Sequence, residues 1–139
     1  MSAYLDSSFL AKLYLPERDT PAALALAKTL RGTPMISLLS DVEVASAILR
    51  RLPEVDAKAL YSVYRRNRDS GLYRVVLIDQ ETFLLARELV ERYDRVFSLR
   101  SLDAVQLASG LQYGASAFVT TDGNLAKAAA AEGLAVLRP

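Results

Sequence analysis

The feature of this chain that most narrows its fold is an alternation. Short apolar runs at Ser2–Leu5, Met35–Ser37, Tyr73–Ile78, Ala117–Thr120 and Ala135–Leu137 are separated by longer stretches of helical periodicity. Brief apolar runs bounded by turn residues read as strands covered on both faces, and parallel strands need crossovers of the length seen between them. The expected architecture is α/β, a three-layer domain. Its mostly parallel central sheet would have about four to five short strands flanked by helices. No linker, repeat or low-complexity block interrupts the 139 residues, so residues 1–139 are expected to form a single domain.

Local punctuation places the helices. Asp6-Ser7-Ser8 opens one that Pro16 stops, and Asp19-Thr20-Pro21 opens a second that Gly32 closes. Ser40 begins the segment DVEVASAILRRL, in which Val42, Ala45, Ile48 and Leu49 share a face. Pro53 ends that helix and starts another running to about Asp69. Asp79, Ser101 and Asp122 each cap a later helix.

Composition then limits the chemistry. The chain has no Cys and no His. That excludes Ser-His-Asp and Cys-His catalysis, haem and iron–sulfur ligation, and Cys/His zinc sites. A bound metal would have to be held by oxygen, which points to magnesium, manganese or calcium.

Four acids stand where such a site can form. Asp6 follows the first strand and Asp122 follows AFVTT. In a parallel sheet the carboxyl ends of the strands share one edge, and ligands bind there. Glu43 and Asp103 each lie in the first turn of a helix expected to start at that edge. Each acid also has a local structural reading. Asp6 and Asp122 can be N-caps, Ser40-Asp41-Val42-Glu43 matches a capping box, and Asp103 suits the helix dipole. Caps account for each position singly but not for four on one edge. Converging carboxylates repel one another unless a divalent cation is bound, and such a cation can polarise a phosphodiester and activate water.

With 17 basic and 16 acidic residues the net charge is +1, so whole-chain charge does not select a partner. Six of the 13 arginines fall between Arg50 and Arg74. Among them Arg50, Arg51, Arg65, Arg66 and Arg68 form a candidate surface for an RNA backbone, or else a solvated helix face. Tyr61, Tyr64, Tyr73, Tyr93 and Tyr113 can stack on bases or pack in the core. The N-terminus MSAYLDSSF lacks a basic n-region and a long apolar run. A cytoplasmic protein with no membrane partner is expected.

These segments carry a resemblance. YLDSSFLAKLY, SLLSDVEVASAILRR, LRSLDAVQLASGLQYG and FVTTDGNLAKAAAAEGLAVLRP together resemble the PIN-domain ribonucleases of bacteria and archaea, in particular the VapC-type toxins. The resemblance spans nearly the whole chain, and the run from Leu99 to Gly133 is its most specific part. It implies a PIN-like domain and four metal-binding catalytic acids at Asp6, Glu43, Asp103 and Asp122. Supporting hydroxyls would fall on Ser8 and on Thr120 or Thr121. Many members carry a further Asp where this chain has Asn124, which offers an oxygen but no charge. The resemblance further implies RNA cleavage with magnesium or manganese, homodimerisation, and silencing by a cognate antitoxin. Two alternatives have the same general build: a PIN-fold nuclease of RNA processing without an antitoxin, and a receiver-type phosphoacceptor module. The latter needs a Lys after the last strand, where AVLRP offers only Arg138.

Overall fold

The computed structural model describes residues 2–139. Five strands, β1 (Ala3–Leu5), β2 (Met35–Ser37), β3 (Arg74–Val76), β4 (Ala117–Val119) and β5 (Ala135–Leu137), form one sheet in the order β3-β2-β1-β4-β5. Every pairing is parallel. Tyr4 stands opposite Met35 on one side and Phe118 on the other.

Among the described residues seven helices cover the sheet: α1 (Ser7–Lys12), α2 (Thr20–Thr29), α3 (Leu38–Arg51), α4 (Glu54–Asp69), α5 (Gln80–Phe97), α6 (Ser101–Gln112) and α7 (Gly123–Ala131). The alternation of side chains along each strand divides the core into two layers. Tyr4, Met35, Val76 and Phe118 face α5, α6 and α7. Ala3, Leu5, Ile36, Ala117 and Val119 face the first four helices. Strands apolar on both faces are what a doubly covered parallel sheet requires, and the result is the three-layer α/β domain.

Two expected caps form. Asp79 accepts from the backbone N–H of Thr82 in a reciprocal capping box, and Asp122 accepts from Asn124 and Leu125. Elsewhere the boundaries move. Helix α1 ends at Lys12, short of Pro16, and α6 begins at Ser101 with Arg100 in the capping position. The third strand is shorter than its apolar run, because Leu77 and Ile78 already lie outside the ladder.

The largest departure concerns α3. It starts at Leu38 directly from the strand, with Ser37 at its N-cap, so Ser40 lies inside the helix. The expected capping box does not form, and Glu43 belongs to the second turn, not the first. Ser37 ends the strand and stands at the helix N-cap at once, so no loop separates β2 from α3, and the lone Ser37 is a weaker start signal than Ser40-Asp41. Ser40 is fully buried and its hydroxyl has no hydrogen-bond partner. Replacing Ser40 by Ala should leave thermal stability unchanged or slightly raised. A capping box would instead lose about 0.5–2 kcal/mol on that substitution, and chemical denaturation distinguishes the two.

Candidate active site

The strand order places a switch point beside β1. From β1 the chain builds outward to β2 and β3 on one side, and β4 and β5 fill the other. In open parallel sheets the crevice at such a point, at the carboxyl edge, is where ligands are bound. Asp6 is the first residue past β1, and its backbone N–H donates to Val119 O at 2.9 Å, holding it against the end of β4. Asp122 lies three residues past β4. Glu43 arrives from α3 and Asp103 from the first turn of α6. All four line one cavity of about 330 Å³ with Ser7 and Ser8. A second hollow shares Glu43, Asp103 and Asp122 and adds Arg100 and Asn124.

Three of these carboxylates are held by one oxygen. Asp6 Oδ2 accepts from the hydroxyls of Ser8 at 2.6 Å and Thr120 at 2.8 Å. Those hydroxyls are themselves fixed, since Ser8 Oγ accepts from the Thr121 N–H and Thr120 Oγ1 from the Asp122 N–H. Glu43 Oε1 accepts from Ser7 Oγ at 3.0 Å and Gln106 Nε2 at 2.7 Å. Asp122 Oδ1 takes the two backbone N–H bonds at the start of α7. Among the described residues the second oxygen of each takes no hydrogen bond from a side chain. Asp103 is influenced by surrounding charges with no hydrogen bond of its own.

No Lys or Arg is ion-paired to any of the four among the described residues, although other acids are paired, such as Asp41 to Arg68 and Glu132 to Arg92. The consequence shows in protonation. Burial pushes Asp6 up to about 6 from 3.8, with Glu43 adding to the rise against the Ser8 and Thr120 hydrogen bonds. Burial raises Asp103 further, to about 7, followed by repulsion from Asp6, Asp122 and Glu43, while Arg100 opposes the rise. A set of oxygen donors with uncompensated charge fits a hard divalent cation. Among the described residues, however, no three acids are already drawn together into a group that could hold a metal ion.

The arginines separate. Arg51 lies at the rim of the acid cavity, ion-paired to Glu17. Arg50, Arg65 and Arg66 are exposed. Arg68 is only 18% exposed and is paired to Asp41 and Asp69. Asp41 also accepts from Tyr64 at 2.5 Å, so Arg68 fastens α4 to α3 and is not open to a phosphate. Thr121 lines the cavity and Asn124 the adjoining hollow. Tyr64, Tyr73 and Tyr93 are buried and unavailable to bases.

Residues that sequence reasoning did not assign to the site also belong here. Arg100 precedes α6 and is the cation that acts on Asp103. Arg138 donates to Thr121 O at 3.0 Å across Gly123. Gln106 reaches Glu43 from within α6. Arg100 and Arg138 each stand alone in sequence, with no cluster to signal them. The position of Gln106, one turn after Asp103, was the available signal for it.

A sheet of this order with acids at its switch point defines an α/β domain built to hold a ligand at its carboxyl edge. The family model for the PIN domain matches residues 3–131, and the chain belongs to that family. No curated protein matches the chain in sequence. Among solved structures, VapC20 of Mycobacterium tuberculosis, described as a toxin cleaving the sarcin–ricin loop, is similar with a TM-score of 0.79 at 23% identity, covering 99% of both chains. VapBC2 of Rickettsia felis, bound to a DNA fragment from its promoter, gives 0.71 at 13% identity over 100% of this chain and 99% of that one. A toxin–antitoxin complex from Klebsiella pneumoniae gives 0.61 at 22% identity over 86% of each chain. At these identities the likeness is one of fold.

The raised carboxyls have a measurable effect on the metal-free protein. An acid whose folded-state pKa lies above its unfolded value favours the fold fully below the unfolded value and loses that contribution as pH rises through the folded one. For Asp103 the window runs from about 4 to about 7. Without metal, Asp103→Asn should melt close to wild type near pH 4 and increasingly above it by pH 8. Melting curves across that range check this, and a constant difference would contradict it.

Proposed function

We propose that this chain is a divalent-cation-dependent endoribonuclease and the toxin of a toxin–antitoxin pair. The observation that carries the reading is the convergence of Asp6, Glu43, Asp103 and Asp122 on one cavity whose two cations, Lys12 and Arg51, are ion-paired to other acids, Glu17 and Asp19. Family membership supports nuclease chemistry, and oxygen-only donors match magnesium or manganese. Asp103, with no competing hydrogen bond, and Asp6 would be the principal ligands. Glu43 stands close by, and Asp122, partly committed to its helix, acts more weakly or through water. When bound, such a cation polarises the scissile phosphodiester and activates water toward it. The chain's own residues do the rest. Ser8 and Thr120 orient Asp6, the N-terminus of α7 orients Asp122, and Arg51 and Arg100 on the cavity margins receive the RNA backbone. Exposed Arg50, Arg65 and Arg66 add longer-range attraction, offsetting the repulsion of an acidic site for phosphate.

The toxin reading draws on the descriptions of the M. tuberculosis and K. pneumoniae structures as a toxin and a toxin–antitoxin complex. The surface agrees with it. The apolar segment FLAKLYL is mostly core, because Phe9, Leu10, Ala11 and Leu15 are buried. The exposed apolar side chains lie elsewhere: Leu38, Val42 and Leu49 on α3, Phe83 and Leu84 on α5, and Leu102 on α6. A second copy of the chain would cover part of this surface. An antitoxin helix would occupy the apolar cavity of about 470 Å³ between α1, α2 and α4, lined by Leu13, Leu24, Ala27 and Leu72. A basic side chain from a separate segment of the same antitoxin, reaching the carboxyl edge of the sheet, would replace the cation among the four acids. No described helix is long and apolar enough to cross a membrane.

Purified chain should cleave RNA with magnesium or manganese and stop with chelator. Asp6→Asn and Asp103→Asn should lose more than about a hundredfold in rate, beyond what outer partners of a metal site contribute. Arg51→Gln with Arg100→Gln should not abolish metal binding and should lower the salt slope of RNA binding by about 0.7 for each phosphate contact removed. Full cleavage by Asp103→Asn would overturn the assignment.

A further inference from the structure

Gln106 sits in the middle of α6 with no exposure to solvent, between Val105 and Leu107 in a run of buried residues. An amide in such a place destabilises the fold unless both its ends are hydrogen-bonded. Both are. Its Nε2 donates to Glu43 Oε1 at 2.7 Å, and its Oε1 accepts from the Tyr4 hydroxyl at 2.5 Å. The Tyr4 hydroxyl also lies 3.0 Å from Ser37 Oγ.

Tyr4 has little freedom. Its ring stacks on Phe118 with centroids 5.5 Å apart and planes 10° from parallel. On the helix side it meets Gly110, one turn beyond Gln106, where an added Cβ would stand 3.1 Å from Tyr4 Cβ and 3.2 Å from Cγ. Glycine therefore lets α6 approach β1 closely enough for the phenol to reach the amide.

The direction of these bonds matters. An ionised carboxylate only accepts, so the amide must turn its NH2 to Glu43 and its carbonyl to Tyr4. The Tyr4 O–H favours that orientation over its reverse. Gln106 and Ser7 then occupy the same oxygen of Glu43, Oε1, which leaves Oε2 as the oxygen without a side-chain donor.

We propose that Gln106 is a positioning residue for the site. Held by Tyr4, it fixes Glu43 through Oε1 so that Oε2 is presented to the cation. The proposal rests on the cation reading above. A Met at this position would fill similar space and satisfy the packing, but could not hold the carboxylate.

The test is a double-mutant cycle on the full chain, read by calorimetric titration with manganese. Gln106→Met should weaken manganese binding about 10–100-fold, the range known for outer partners of metal ligands. In a Glu43→Ala background it should add nothing, because it acts only through Glu43. Tyr4→Phe keeps the ring, removes the donor that orients the amide, and should weaken binding in the same background-dependent way. It serves if Gln106→Met does not fold. Unchanged affinity in the single variants, or an equal loss with and without Glu43, would overturn the proposal. Wild type that binds no manganese would overturn the cation reading and this proposal together. Manganese binding that follows the cycle in a chain that cleaves no RNA would support the positioning role and overturn the nuclease reading alone.

Discussion

Burial of the Asp6 carboxylate at the end of the central strand is the constraint around which the rest of the site is arranged. Asp6 is 2% exposed and among the described residues no Lys or Arg is ion-paired to it, since Lys12 and Arg51, which line the same cavity, are paired to Glu17 and Asp19. Two hydroxyls stabilise one of its oxygens, from Ser8 on its own helix and from Thr120 at the end of β4. They do not offset the loss of water, since the carboxyl remains well above its usual range. Here the strand order brings the ends of β1 and β4 together, and the helices following β2 and β5's neighbour β4 bring further carboxylates toward the same space.

Partly buried acids elsewhere in the chain are paired. Asp41 is neutralised by Arg68 and bonded by Tyr64, and Glu132 by Arg92 and Tyr93. Those pairs fasten helices together. At the sheet edge the arrangement differs: hydrogen-bond donors hold one oxygen of Asp6, Glu43 and Asp122, and among the described residues no Lys or Arg is ion-paired to any of them. Neutral donors orient a carboxylate without cancelling its charge. That distinguishes a prepared site from an ion-paired scaffold.

Much of this could be read from the residues alone. The central strands β1, β2 and β4 are buried and apolar on both faces, and the runs of the edge strands β3 and β5 were still apolar enough to be visible, so the acids that follow β1 and β4 stood out against them. Asp79 and Asp122 cap their helices because a short polar side chain at a strand-to-helix turn has few other roles. The start of α3 was hidden, since Ser37 both closes β2 and stands at the helix N-cap, leaving no loop between them. Arg68 looked like its exposed neighbours Arg65 and Arg66, and only the packing of α4 on α3 turns it inward to Asp41. The Glu43–Gln106 contact links residues 63 positions apart in sequence, which no local pattern records. Arg100 becomes part of the site only because α6 starts beside the acids.

The central claim is that these carboxylates form a cation site whose charge is uncompensated until the ion binds. With Asp6 near 6 and Asp103 near 7, both are partly protonated at pH 6.5, and a cation must displace those protons. Calorimetric titration with manganese at that pH, in buffers of different ionisation enthalpy, measures the release directly. About one proton should leave per ion bound at pH 6.5, and almost none at pH 8.5. An observed heat independent of buffer at pH 6.5, or no binding at either pH, would contradict the claim.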